Sequence, residues 1–191
     1  ASTQVCGQCH GISFVPSFRD FNAHGFRYRP GDDLEATKPT IRPRHAASSA
    51  HIATLMRENP GYLDAMFWSD GMVRVSGRDM NGMIESPCAV RGDLQCLSCH
   101  SMHDSDPVDQ LKPDMRGNAA CVECHAKPEY TTAIEQHTFH KPDSTGSNCL
   151  NCHMPHTTYA LLGAIRNHQV QSPSAGRSIR HGTPNACNLC H

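Results

Sequence analysis

The chain is short of the material from which protein cores are usually built. Aromatic residues make up 6% of 191, tryptophan occurs once, and all apolar types together reach 38%; mean hydropathy is -0.51. A core made of side chains alone would therefore be thin. No apolar stretch approaches the roughly 20 residues that cross a bilayer, which excludes a membrane-spanning helix. No positively charged leader followed by an apolar run opens the chain. Charge of one sign is also lacking: the formal net charge is -1, and Lys and Arg form no run, which counts against a nucleic-acid role.

Cysteine and histidine are in excess instead, at 11 and 14 residues. Ten of the cysteines fall into five identical units. CGQCH spans Cys6, Cys9 and His10; CLSCH spans Cys96, Cys99 and His100; CVECH spans Cys121, Cys124 and His125; CLNCH spans Cys149, Cys152 and His153; CNLCH spans Cys187, Cys190 and His191. Cys-x-x-Cys-His is the attachment signature of c-type haem, whose vinyl groups take the two thiols as thioethers while the adjacent His ligates the iron. Zinc knuckles and disulfides are indifferent to the residue after the second Cys. Five histidines in that position by chance have a probability on the order of 10⁻⁶. Five haem c groups are the cofactors expected.

Haem also fills the gap in composition. If each porphyrin buries several hundred Å² of apolar face, five contribute on the order of tens of kcal/mol at about 25 cal/mol per Å². The fold expected is mainly irregular coil with short α-helices and a small β-hairpin or meander, wrapped around a closely packed chain of haems with little conventional hydrophobic core. Propionates and iron charges would bring the holoprotein to roughly -6 oxidised and roughly -11 reduced.

In chain order, residues 1–191 read as a single multihaem unit with three parts. Residues 1–60 hold the first haem site and a connector rich in turn residues, with His24 and His45 in it. The run AASSAHIATLMREN, residues 46–59, reads as a helix stopped by Pro60 and Gly61, and it carries His51 within reach of an iron. Residues 61–92 read as a β-meander, with Asp70-Gly71 and Asn81-Gly82 as tight turns and Trp68 inside it. This piece covers haem edges or serves as a docking surface. Cys88 is the unpaired eleventh cysteine, expected to be buried and inert.

Residues 93–191 hold four attachment units, separated by connectors of 20, 23 and 33 residues, short enough to keep consecutive porphyrins close. Thr157 to Gln169 has apolar residues at helical spacing and reads as a helix presenting His168 near its end. The five proximal ligands, His10, His100, His125, His153 and His191, leave nine further histidines: His24, His45, His51, His103, His137, His140, His156, His168 and His181. Nine for five open positions permits bis-His ligation throughout, which closes an iron to substrate and lowers its potential, whereas Met ligation would raise it.

The run HTFHKPDSTGSNCLNCHMPHTTYALLGAIRNHQ, preceded by CLSCHSMH, resembles the multihaem cytochrome c lineage of pentahaem nitrite reductases and octahaem hydroxylamine oxidoreductase-like proteins. The span from FWSDGMVRVSGRDMNGMIESPC to PNACNLCH, about two thirds of the chain, resembles multihaem modules of exported bacterial proteins that carry tetratricopeptide regions. The resemblance implies His103, His137 or His140, and His168 as distal ligands, with the remainder chosen among His51, His45, His24 and His181. The nitrite reductases carry one CxxCK haem with an open face; all five units here end in His.

Electron transfer is the function these features imply, with redox proteins as partners. The protein is expected to be exported, periplasmic or extracellular, because c-type haem is attached outside the bacterial cytoplasm, and Ala1 is then a mature terminus. A haem site near each end, with His191 last, suits head-to-tail association into a conductive filament; a soluble shuttle is the other form. The alternative is a reductase of nitrogen or sulfur oxyanions with one open iron, for which Arg166, His156 or Tyr159 would meet substrate. Most weight goes to a carrier that is not an enzyme.

Overall fold

A computed structural model describes residues 2–103 and 109–191. The chain forms short helices joined by coil: α1 (Ser2–His10), α2 (Phe18–His24), α3 (Leu34–Thr37), α4 (Ala50–Glu58), α5 (Tyr62–Met66), α6 (Asp79–Ile84), α7 (Pro87–Arg91), α8 (Cys96–Cys99), α9 (Ala119–Val122), α10 (Pro128–Thr131), α11 (Ile134–Thr138), α12 (Cys149–His153) and α13 (Ala175–His181). The longest of these have nine residues. One antiparallel hairpin, β1 (His156–Ala160) and β2 (Gly163–Arg166), is the only sheet among the described residues.

Among the described residues the apolar clusters lie in the N-terminal half. Ile12, Ile41, Ile52, Phe67 and Val73 form one buried cluster, and Tyr28, Leu34 and Met80 a second, smaller one. From residue 93 onward the buried hydrophobics are Ile134 and Ala186. The part with four of the five attachment units thus has almost no side-chain core of its own.

A polar nail holds the first cluster. Asn81 is buried; its Oδ1 accepts from Ile12 N at 2.6 Å, and its Nδ2 donates to Ile41 O at 2.8 Å and Ile12 O at 3.4 Å. These bonds satisfy backbone groups that the Ser13–Thr40 bridge leaves open.

The helix expected over residues 46–59 is present as α4, capped by the Ser49 side chain and preceded by a 3₁₀ turn at Pro43–Ser48. Two expectations fail. Residues 61–92 are not a β-meander but carry α5, α6 and α7. Asp70-Gly71 does turn the chain between Phe67 and Val73, with Gly71 at φ 85°. Asn81-Gly82, by contrast, sits inside α6, because burial of Met80, Asn81 and Met83 outweighs the turn preference of the pair. Residues 157–169 are not a helix either. Thr157, Thr158 and Tyr159 favour strand, and β1 finds partners on both sides: β2, and the segment around Val75 in a parallel bridge.

That bridge joins the two halves. Ser76 N donates to Tyr159 O and Tyr159 N to Arg74 O, both at 2.8 Å; Trp68 Nε1 donates to Thr157 O at 3.1 Å. The Arg74 guanidinium lies over the Trp68 ring at 5.0 Å, and Arg177 Nε reaches the buried Asp70 carboxylate at 2.6 Å. The residues expected to cover haem edges therefore brace the hairpin that follows the fourth unit.

Candidate functional site

Each attachment unit lies in or beside a single helical turn. On a helix, residues three and four apart share a face, so both cysteines and the histidine of a unit point the same way. The backbone closes that turn in the second, third and fifth units, where His100 N, His125 N and His191 N donate to the carbonyls of Cys96, Cys121 and Cys187 at 3.0, 2.9 and 2.9 Å. Such a turn can present two thiols to one edge of a macrocycle and one imidazole to its centre.

The units are neighbours in space in the order of the chain. Although far apart in sequence, α1 and α8 pack together, and the Cys6 and Cys96 thiols meet there. Burial first, and then Cys6, push the Cys96 thiol up to about 11. Asn118 ties the third unit to the fourth, accepting from Cys149 N at 2.8 Å and donating to Ser147 O at 2.9 Å. Beside it the Cys121 thiol is pushed up to about 12 by burial and then by Cys149. Cys99 is raised mainly by burial, with Cys124 among its neighbours, and Cys152 likewise, with Cys187 and Cys190. The thiols of successive units thus interact along the row: Cys6 with Cys96, Cys99 with Cys124, Cys121 with Cys149 and also Cys99, and Cys152 with Cys187 and Cys190.

Raised thiol pKa values mean that burial disfavours thiolate. A metal-thiolate centre needs that charge, whereas a thioether is neutral. None of the eleven cysteines is in a disulfide, and among the described residues no three His, Cys, Asp or Glu side chains converge as a protein-only metal site requires. Cys88 is half-buried rather than buried, and burial first, then Cys124, push its thiol up.

Three unit histidines face a second imidazole. The ring centroids of His100 and His168 are 6.2 Å apart, those of His153 and His137 6.2 Å, and those of His191 and His140 5.8 Å. The His137 and His153 planes lie within 6° of each other. Each pair would hold one haem iron between its two rings, an arrangement that would put their centroids about 6 Å apart.

The other ring nitrogen is engaged as well. Nδ1 of His100 meets Asp109 O at 2.9 Å, that of His140 meets Thr138 O at 2.6 Å, that of His153 meets Gln171 O at 3.2 Å, and that of His168 meets Arg166 O at 3.1 Å. A backbone carbonyl at Nδ1 fixes the proton there and leaves Nε2 with its lone pair free for a metal. Burial lowers the pKa of His153 and His168 and favours the neutral form that ligation needs. An open cleft of about 490 Å³ between the third and fourth units, bordered by Val122, Tyr130, Ile134 and Asn148, is of the size that takes a small-molecule ligand. The residues present fit haem.

The remaining histidines are placed differently. His125 meets the edge of Tyr130 at 5.7 Å, and Tyr130 meets His137 at 5.0 Å, so rings run without a gap from the third unit to the fourth. His10 faces Asp79. His51 rests on Phe14 at 5.1 Å, His24 is engaged by Asp20 and Arg27, and His181 lies beside Ser69. His45 and His103 are exposed; His103 borders residues 104–108, which lie outside the described part. His156 opens β1, its pKa lowered by burial and by Arg166. Asn118 and Asp79 carried no signal in the sequence, since their partners are distant along it.

A model of the doubled CXXCH motif matches residues 88–129, which contain the second and third units. Searches of curated proteins and of solved structures return no match. Among the described residues no helix is long and apolar enough to cross a membrane. A doubled CXXCH motif is that of a chain that binds haem c covalently and serves electron transfer.

Proposed function

We propose that this chain conducts electrons along an unbranched row of five c-type haems, attached in chain order at Cys6/Cys9, Cys96/Cys99, Cys121/Cys124, Cys149/Cys152 and Cys187/Cys190. The observation that carries the reading is the second imidazole about 6 Å from His100, His153 and His191, with its own Nδ1 held in the two partners His140 and His168 by a backbone carbonyl. Bound haem supplies an iron that cycles between ferric and ferrous states; the chain sets spacing, orientation and potential. Two imidazoles on an iron close it to substrate, which favours a carrier over an enzyme.

Exchange with redox partners belongs at the ends of the row, where His10, Cys187, Cys190 and His191 are exposed. Attachment of c-type haem places the protein outside the bacterial cytoplasm. Shuttle and filament would use the same ends, and light scattering at high concentration separates them: a strictly monomeric particle removes the filament.

The test is the mass of the purified protein together with electron paramagnetic resonance of its oxidised form. Five thioether-bound haems with low-spin iron support the conduit. A second reading, reduction of a nitrogen or sulfur oxyanion at one open iron, draws on His125, whose described ring contact is Tyr130 rather than an imidazole. A high-spin signal that shifts on adding nitrite or hydroxylamine would favour it.

A further inference from the structure

Helix α6 is wedged between the first unit and the segment that carries His168. Arg78, at its N-terminus, donates to Cys9 O at 2.7 Å. The side chain of Met80 lies so close to Gly7 of α1 that a Cβ there would overlap it. On the other side, a Cβ on Gly82 would meet Gln169 N at 3.1 Å and the His168 carbonyl carbon at 3.3 Å. Asn81 anchors the same helix to Ile12 and Ile41. Pinned from these directions, α6 holds Asp79 between two imidazoles: Oδ2 is 3.6 Å from His10 Nδ1, and Oδ1 is 3.4 Å from His168 Nδ1. The carboxylate is 24% exposed and the His168 side chain 25%, so that contact is only partly screened by water, whereas the His10 side chain is 56% exposed.

This arrangement differs from the other described histidines of the row. His100, His140 and His153 turn Nδ1 to a backbone carbonyl, which carries a partial charge. His10 and His168 have a full negative charge beside that nitrogen, which in His168 also meets Arg166 O at 3.1 Å. A carboxylate behind a ligating imidazole holds its proton more strongly, makes the ring a better donor, and favours the more positive metal.

We propose that Asp79 is a positioning residue shared by two neighbouring haem sites, orienting His10 of the first and His168 opposite His100 of the second, and holding both irons at lower reduction potential than they would have without its charge. The proposal rests on the haem reading above. It makes the end of the row at α1 the low-potential end, where electrons enter and from which they run toward the unit at His191.

The experiment compares the holoprotein with Asp79→Asn and Asp79→Glu. Haem number is taken from the mass of each, and a redox titration is followed through the individual low-spin resonance signals. Five haems are expected in all three proteins. In Asp79→Asn two of the five one-electron steps move to higher potential, with the ratio of reduced to oxidised iron at a fixed potential up roughly tenfold, equal to about 59 mV for a one-electron couple; Asp79→Glu returns part of the way. The proposal is overturned by titrations of Asp79→Asn that superimpose on the parent, by an equal shift of all five steps, or by loss of a haem from Asp79→Asn, since a tuning carboxylate is not needed for attachment. A parent protein without covalent haem would instead remove the reading on which the proposal rests, and the mass alone distinguishes that result.

Discussion

Replacing His137 by alanine separates ligation from folding more cleanly than any other change in this chain. His137 lies in α11, is exposed apart from its neighbours Tyr130 at 5.0 Å and His153 at 6.2 Å, and supports no part of either apolar cluster. Alanine is the better helix former by up to about 0.7 kcal/mol, and exposed substitutions usually stay within about 0.5 kcal/mol. The fold and the five covalent attachments are therefore expected to survive. What is lost is one of the two nitrogens about the fourth site, so one iron in five changes state. Resonance of the oxidised protein should show high-spin ferric iron at about one fifth of the total, with the other four fifths low-spin. Added imidazole should return that fraction to low spin. His51→Ala serves as the control, because His51 packs on Phe14, and it should leave all five irons low-spin. A His137→Ala protein with five haems and no high-spin iron would refute the pairing of His137 with His153. High-spin iron in His51→Ala would refute the placement of His51.

Other outcomes follow from the same contacts. A Cβ on Gly146 would overlap the His140 ring, so Gly146→Ala should alter the resonance signal of the fifth site alone, leaving haem number at five. Asn81→Ala strands Ile12 N and Ile41 O and should lower stability by roughly 2–3 kcal/mol, seen as a lower urea midpoint. Arg177→Ala leaves the Asp70 carboxylate, 3% exposed, without its counter-charge, and should cost roughly 2–4 kcal/mol by the same assay. Chain made without haem attachment should lose the short helices of residues 93–191, seen as reduced far-UV circular dichroism, since that part buries so few apolar side chains.

What could be read ahead of the structure follows from the range of the interactions involved. A Cys-x-x-Cys-His unit is local, because two thiols and an imidazole share one turn; all five such motifs stand in the sequence, and the doubled-motif match covers two of them. The imidazoles that face three of the five were not paired there. His100 and His168 are 68 residues apart and His140 and His191 are 51, and nothing in either segment alone announces the meeting. His137 and His140 stood as alternatives for a single position, whereas the fold sends one to His153 and the other to His191. The hairpin was misread for a related reason: the spacing of Tyr159, Leu161, Leu162 and Ile165 suits a helix, and the deciding partner, Val75, lies on a distant segment. Asp79 and Asn118 are ordinary residues until their neighbours are known.

The place of α1 has a consequence for how the molecule is made. Its support comes from α6 and α8, and from Leu34 beneath Gly7, so the surroundings of Cys6, Cys9 and His10 are complete only after Cys99 has followed them out. A chain emerging N-terminus first holds this unit as an open tether for the time taken by some ninety further residues, seconds at about 5–20 residues per second. Haem attachment there would be a reaction of open chain, since the first unit to emerge is enclosed only once the second has followed it.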